Sequence, residues 1–265
     1  MNMIVIKCGG STLAALPDAF FADMRELQRS GTVPVIVHGG GPAINETLER
    51  LGIASEFVNG LRKTSAEVLQ VVEMVLGGRI NKEIVRRIMG SGAQAVGLSG
   101  IDGGLIRARP VDNSDELGFV GEVTDVNANL IRGIAELGFI PVIAPLGIGE
   151  DGQSYNINAD TAAGAVAARL GAGRLVVVTD VPGILHTAGG ERRVLPRVTA
   201  ADIEAMIASG DIYGGMIPKV RAAVDCLRGG VSEVVIVDGA EPRVLSRVAA
   251  GEAVGTRVVG DGLDR

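Results

Sequence analysis

Long apolar runs are missing from this 265-residue chain. Stretches such as 33–37 and 175–178 fall far short of the roughly 20 residues that span a bilayer, so no membrane segment is expected. The opening Met3-Ile4-Val5-Ile6 has no basic region before it and no small-residue cleavage site after it. That argues against a secretory signal and makes the cytoplasm the expected compartment. Cysteine is scarce: Cys8 and Cys226 sit among apolar neighbours, which excludes a disulfide framework and leaves two expected core thiols. With two histidines, His38 and His186, and no Cys/His spacing, neither a His-rich nor a zinc site is expected. The chain also lacks basic excess. At a formal charge of -6 it is no candidate for a nucleic-acid partner, and any anionic ligand must be gripped locally. No G-x-x-x-x-G-K-[ST] loop occurs, and the one G-x-G-x-x-G, Gly147 to Gly152, carries Glu150 and Asp151 where a pyrophosphate would lie, so it reads as a turn.

What is present is a core of 47% hydrophobic residues and 39 glycines, about twice the usual share of roughly 7%. The glycines gather at the ends of apolar runs, as turns and backbone contact points do. Val- and Ile-rich runs at 4–7, 33–37, 95–98, 140–144, 175–179 and 233–237 alternate with helical periods at 18–28, 42–51, 66–76, 81–89, 126–137, 161–170, 200–208 and 218–227. That alternation predicts an α/β fold with a mostly parallel sheet. Residues 105–123 break it and predict a hairpin or small flap able to close over a ligand, turning at Asp112-Asn113-Ser114-Asp115. Gly171-Ala172-Gly173 is the expected boundary between a lobe of residues 1–170 and one of residues 171–265.

In open parallel sheets ligands bind at the carboxyl ends of strands. Lys7-Cys8-Gly9-Gly10-Ser11 follows the first strand and His38-Gly39-Gly40-Gly41-Pro42 the second. Each is a candidate anion cradle, because glycine lets backbone N–H groups approach and Pro42 suits the first turn of a helix. One such loop is more simply a tight turn; two on successive strands, one preceded by a lysine, favour a site. Lys7 ends an apolar strand, where an unpaired ammonium is costly. Lys219 falls in the first turn of a helix, where a cation opposes the macrodipole, and an anionic ligand would explain it. Asp160 is either the cap of a helix near Thr161 or an organiser of the two lysines. Arg62 is either a surface residue or a fork for a carboxylate.

Taken in order, Lys7-Cys8-Gly9-Gly10, His38-Gly39-Gly40-Gly41-Pro42, Asn59-Gly60-Leu61-Arg62, Asn156-Ile157-Asn158-Ala159-Asp160, Thr179-Asp180-Val181-Pro182-Gly183-Ile184-Leu185 and Gly214-Gly215-Met216-Ile217-Pro218-Lys219 resemble the amino acid kinase family, nearest its branch acting on N-acetylglutamate. The likeness extends to Gly255-Thr256-Arg257. It implies a three-layer αβα sandwich with a mainly parallel sheet, residues 1–170 binding the acyl amino acid and dimerising, and residues 171–265 binding ATP. It also implies phosphorylation of the side-chain carboxylate of N-acetyl-L-glutamate by ATP with Mg2+, a step of arginine biosynthesis, in a cytoplasmic homodimer.

By position, Lys7 and Lys219 would neutralise the transferring phosphoryl group and Asp160 would hold both ammonium groups. Gly40, Gly41, Arg62 and Asn156 would bind N-acetyl-L-glutamate, with Arg62 on its α-carboxylate. Gly9, Gly10, Asp180, Val181, Pro182, Gly183, Ile184, Leu185, Asp211, Ile212 and Tyr213 would contact phosphate or ATP, with no protein ligand to the metal. Such chemistry needs positioning and charge rather than a general base, because a carboxylate is already a nucleophile. A carrier-linked aminoadipate kinase of lysine biosynthesis and a non-catalytic amino-acid sensor share the scaffold; joint presence of Lys7, Asp160 and Lys219 speaks against the sensor. The resemblance further implies insensitivity to arginine, since no helix precedes the first strand.

Overall fold

Alternation along the central strands decides the architecture. In the strand Asn2–Cys8, Ile4, Ile6 and Cys8 enter one hydrophobic cluster, while Met3 and Val5 enter another together with Val33, Val35 and Val37 of the strand Thr32–His38. Strands apolar on both faces must be covered on both. Helices Asp18–Arg29, Gly41–Leu51, Ala66–Glu73, Asn81–Gly90 and Val244–Ala249 supply one layer. Ala128–Glu136, Ala159–Leu170, Ala200–Ser209 and Met216–Arg228 supply the other. The result, in a computed structural model that describes residues 2–188, 191–214 and 216–261, is a three-layer αβα sandwich. Gly215, expected beside Lys219, lies outside the described residues.

The eight-stranded sheet runs in the order Arg197–Thr199, Thr256–Val259, Glu233–Asp238, Leu175–Thr179, Asn2–Cys8, Thr32–His38, Ile140–Ala144, Ala95–Ser99. It is parallel except where Thr256–Val259 meets Glu233–Asp238. Leu175–Thr179 bonds directly to Asn2–Cys8, so the sheet passes unbroken across residue 170. Cys8 pairs with His38 at the ends of adjacent strands, and the two glycine loops therefore leave the sheet side by side.

Residues 105–123 do form a hairpin, Ile106–Pro110 against Val120–Val126, but it is no free flap. Leu146–Ile148 and Ser154–Ile157 close it into a four-stranded barrel filled by Ile106, Ala108, Tyr155 and Ile157. Closure is non-local: a Cβ at Gly121 would come within 2.6 Å of the Tyr155 Cβ and one at Gly147 within 2.6 Å of the Ala108 Cβ, so the glycines make room for the filling. Of the expected turn Gly147 to Gly152, Gly147 and Ile148 belong to the strand Leu146–Ile148, and residues 149–152 turn toward the strand Ser154–Ile157.

Asp23, buried on Asp18–Arg29, joins distant parts of the chain. Its carboxylate accepts from Leu245 N at 2.7 Å, from Ser246 N at 3.2 Å and from the Ser246 hydroxyl, starting the helix Val244–Ala249 from outside it. Asp23→Ala strands these donors in the core and is expected to cost about 2 kcal/mol, read as a lower urea midpoint with an unchanged slope; an unmoved midpoint would contradict this role.

Candidate active site

The two glycine loops touch through their backbones. A Cβ placed on Gly10 would lie 2.7 Å from Gly40 N, 2.8 Å from Gly40 Cα and 2.9 Å from Gly41 N, so no side chain fits there without parting the loops. On its other side Gly40 meets Leu76 and Ile80, carried on the wide turns of Met74–Ile80 that continue the helix Ala66–Glu73. The N–H groups of Gly10, Gly40 and Gly41 have no acceptor among the described residues. Gly41 faces open space. Three unpaired donors at one place make an anion cradle, and beside it Lys7 Nζ lies 2.9 Å from Asp160 Oδ1 with the lysine side chain only 12% exposed.

Asp160 does not cap its helix. Asn158 does, accepting from Asp160 N at 2.8 Å and Thr161 N at 3.2 Å, which leaves the Asp160 carboxylate free for Lys7. Nor does Asp160 hold both lysines here. Lys219 Nζ pairs with Asp180 Oδ1 at 3.3 Å, and the Asp180 carboxyl is held below its ordinary range by its own backbone and by Lys219. That pairing answers the unfavourable place of Lys219 in the first turn of Met216–Arg228, a turn without acids.

Arg62 is 7% exposed, and its acceptors are neutral: the Ser55 hydroxyl, Asn45 Oδ1 at 2.6 Å and Gly41 O at 3.4 Å, with the Phe57 ring 4.6 Å below the guanidinium. Burial lowers its pKa. A buried cation with only neutral partners, joined to the glycine loop, favours an arriving anion. Asn156 is tied to it through Thr64, whose Oγ1 accepts from Asn156 Nδ2 at 3.1 Å and donates to Arg62 O at 2.7 Å.

A cleft of about 500 Å3 opens next to Asp160, lined also by Asn158, Thr161, Asn59, Pro218 and Arg221. A similar hollow of about 530 Å3 beside Arg107, Arg132 and Arg169 holds none of these groups.

The sequence profile described as "Amino acid kinase family" matches residues 2–238. The chain belongs to the amino acid kinase family. It is 54% identical over 236 residues to an acetylglutamate kinase of Geobacillus kaustophilus, covering 89% of this chain and 90% of that one. With an acetylglutamate kinase of Brevibacillus brevis it shares 51% over 259 residues, 97% of each chain. The crystal structure of smu.665 from Streptococcus mutans superposes with a TM-score of 0.83 at 32% identity, covering 97% of this chain and 98% of that one.

Within the stretch expected to face a nucleotide, the residues divide. Asp180 is exposed, and Val181, Pro182 and Leu185 are half-buried. Gly183 is pressed on Thr256, its hypothetical Cβ 2.6 Å from Oγ1. Ile184 turns inward: its side chain is core, its N–H bonds Thr256 Oγ1 at 2.8 Å and its carbonyl takes Leu195 N at 2.9 Å, leaving nothing for a ligand. Ile212 is likewise core, whereas Asp211 and Tyr213 on either side are exposed. Both isoleucines shape the loops rather than face them.

Thr64 and Asn45, which the sequence reading passed over, support the site, as does His38, which it named at the start of the second glycine loop without a role of its own. His38 is fully buried, donating Nδ1–H to Gly39 O at 3.0 Å and accepting from Asn81 Nδ2 at 3.2 Å on Nε2. Burial lowers its pKa from 6.5 to about 4, so it is neutral at pH 7. Between those values the unfolded chain takes up a proton that folded His38 refuses. Stability should therefore be flat above about pH 6.5 and fall toward pH 4 by up to about 3 kcal/mol from this group. Urea midpoints for the wild type and His38→Gln across pH 7 to 4.5 test this; equal slopes would contradict it.

Proposed function

We infer that this chain is an acetylglutamate kinase, transferring the γ-phosphoryl group of ATP to the side-chain carboxylate of N-acetyl-L-glutamate, a step of arginine biosynthesis. The observation that carries the substrate reading is Arg62, a buried guanidinium whose partners are all neutral and which borders the glycine loop. It is suited to the α-carboxylate, with Asn156 as a second polar contact. The substrate oxygen bonds to the γ-phosphorus as the bond to the β-phosphate oxygen breaks, yielding acyl phosphate and ADP. The N–H groups of Gly10 and Gly40 receive oxygen charge during this exchange, and Lys7, aimed by Asp160, neutralises it. Lys219 completes the neutralisation from the nucleotide side, exchanging Asp180 for the phosphates.

Asp160 and Asp180 are each engaged by a lysine, and no three acids, histidines or cysteines gather among the described residues. Asp160 and Asp180 are the carboxylates near the proposed phosphate path that could face a Mg2+ ion brought in with ATP. When bound, it would supply positive charge to the phosphates.

Residues 1–170 are proposed as the acyl amino acid lobe and residues 171–265 as the ATP lobe, on one shared sheet. Exposed Asp180, Asp211 and Tyr213, with half-buried Val181, suit a nucleotide. No described helix is long and apolar enough to cross a membrane. The enzyme is proposed to work in the cytoplasm, as a homodimer. Met74 and Met89, 59% and 49% exposed on the helices beside the sheet edge Ala95–Ser99, support such an interface.

ATP-dependent hydroxamate formation with hydroxylamine tests the reaction: N-acetylglutamate should far exceed glutamate and aspartate, and equal rates would refute the substrate. Lys219→Ala should lower kcat at least 100-fold with a small change in the KM for N-acetylglutamate, because its charge acts on the phosphoryl group in transfer; unchanged turnover would remove it from the site.

A further inference from the structure

The two groups assigned to the acyl substrate, Arg62 and Asn156, lie on different elements. Arg62 ends a two-residue hairpin strand, and Asn156 belongs to a strand of the barrel 94 positions on. Thr64 lies between them and is fully buried. Its hydroxyl proton goes to Arg62 O at 2.7 Å and its oxygen takes the Asn156 amide at 3.1 Å, so a single hydroxyl uses its donor on one and an acceptor site on the other. The backbone of Thr64 is fixed as well. Its N–H donates to Leu117 O at 2.8 Å, its carbonyl accepts from Phe119 N at 2.8 Å, and Phe119 O in turn receives Asn156 N at 2.9 Å. Gly118 closes this seam: at φ 70°, a Cβ there would fall 2.3 Å from Thr64 O. The Thr64 backbone is thus bonded on both sides, and among the described residues its hydroxyl is the one side-chain bridge between the two substrate residues.

We propose that Thr64 is a positioning residue for acyl amino acid recognition, setting the relative placement of Arg62 and the Asn156 amide. This rests on the assignment of Arg62 and Asn156 to the substrate. The bonded amide hydrogen fixes the plane of the Asn156 side chain, so its other N–H and its carbonyl present one orientation to a ligand. Without the hydroxyl, that amide is free to turn and the Arg62 carbonyl loses its donor. Both effects fall on binding before chemistry, since the hydrogen bonds of Thr64 run to Arg62, Asn156, Leu117 and Phe119 and, among the described residues, to none of Lys7, Asp160 or the glycine N–H groups.

The test compares Thr64→Val, which keeps shape and removes the hydroxyl, with Thr64→Ser, which keeps the hydroxyl, and with Arg62→Ala as a probe of the underlying assignment. For Thr64→Val, the KM for N-acetylglutamate is expected to rise about tenfold or more, with kcat at saturation and the KM for ATP within about threefold of wild type. Thr64→Ser should return the KM to within about threefold. A Thr64→Val enzyme with unchanged KM, or one in which kcat falls and both KM values rise together, overturns the positioning role. So does a Thr64→Ser enzyme no better than Thr64→Val. If Arg62→Ala raises the KM for N-acetylglutamate while Thr64→Val does not, the positioning role alone fails. If Arg62→Ala leaves that KM unchanged, the substrate assignment fails and this proposal with it.

Discussion

Everything at this site depends on two strand-to-helix turns being allowed to touch backbone to backbone. Parallel register places Cys8 beside His38, and from there the chain has to leave the sheet twice within a few ångströms. Only residues without a Cβ permit it, as the 2.7 Å approach at Gly10 shows. The contact then does several things at once. It turns unpaired N–H groups toward one spot, leaves Gly41 O for Arg62, and brings the start of the helix Ala159–Leu170 close enough that Gly39 lies against Ala159. Lys7, the last polar side chain of the first strand before the turn, meets Asp160 for the same reason.

Charge is handled locally in a chain that is acidic as a whole. Lys7 and Lys219 each have a carboxylate, at 2.9 Å and 3.3 Å, whereas Arg62 has none. A paired lysine is aimed without being exposed to a costly unpaired state, and it remains able to share its charge with a phosphoryl oxygen. Arg62 instead keeps its full attraction for an incoming carboxylate, while Asn45, Ser55 and Phe57 fix its plane. The neutral imidazole of His38 fits this scheme. It holds the Gly39 carbonyl without adding a charge behind the cradle.

The main strands and helices were legible because their apolar periods are long and both layers of the sandwich repeat them. Short strands were not, since two to four residues give no period; Asn59-Gly60, with φ of 50° and 82°, is a two-residue hairpin turn that went unread because the pair was taken only as part of a longer motif. Asp160 and Asn158 are interchangeable as caps by residue type, and only the helix start at Ala159 separates them. The barrel was hidden because its closing strands lie beyond the hairpin they complete. Thr64 was hidden for the same reason: its hydroxyl has meaning only beside Asn156, 92 residues away. Ile184 and Ile212 belong to recognisable motifs, but motif membership does not tell core from face.

The dependence on the loop contact is open to a direct measurement, the turnover of Gly10→Ala with N-acetylglutamate and ATP, alongside its urea midpoint. One methyl group placed 2.7 Å from Gly40 N has backbone on the far side and no flexible side chain to displace. Parting the loops by that much should lower kcat at least 100-fold, since positioning errors near 1 Å carry losses of this order, while the two hydrophobic layers hold the folded state. A Gly10→Ala enzyme that folds and turns over near the wild-type rate would contradict the account.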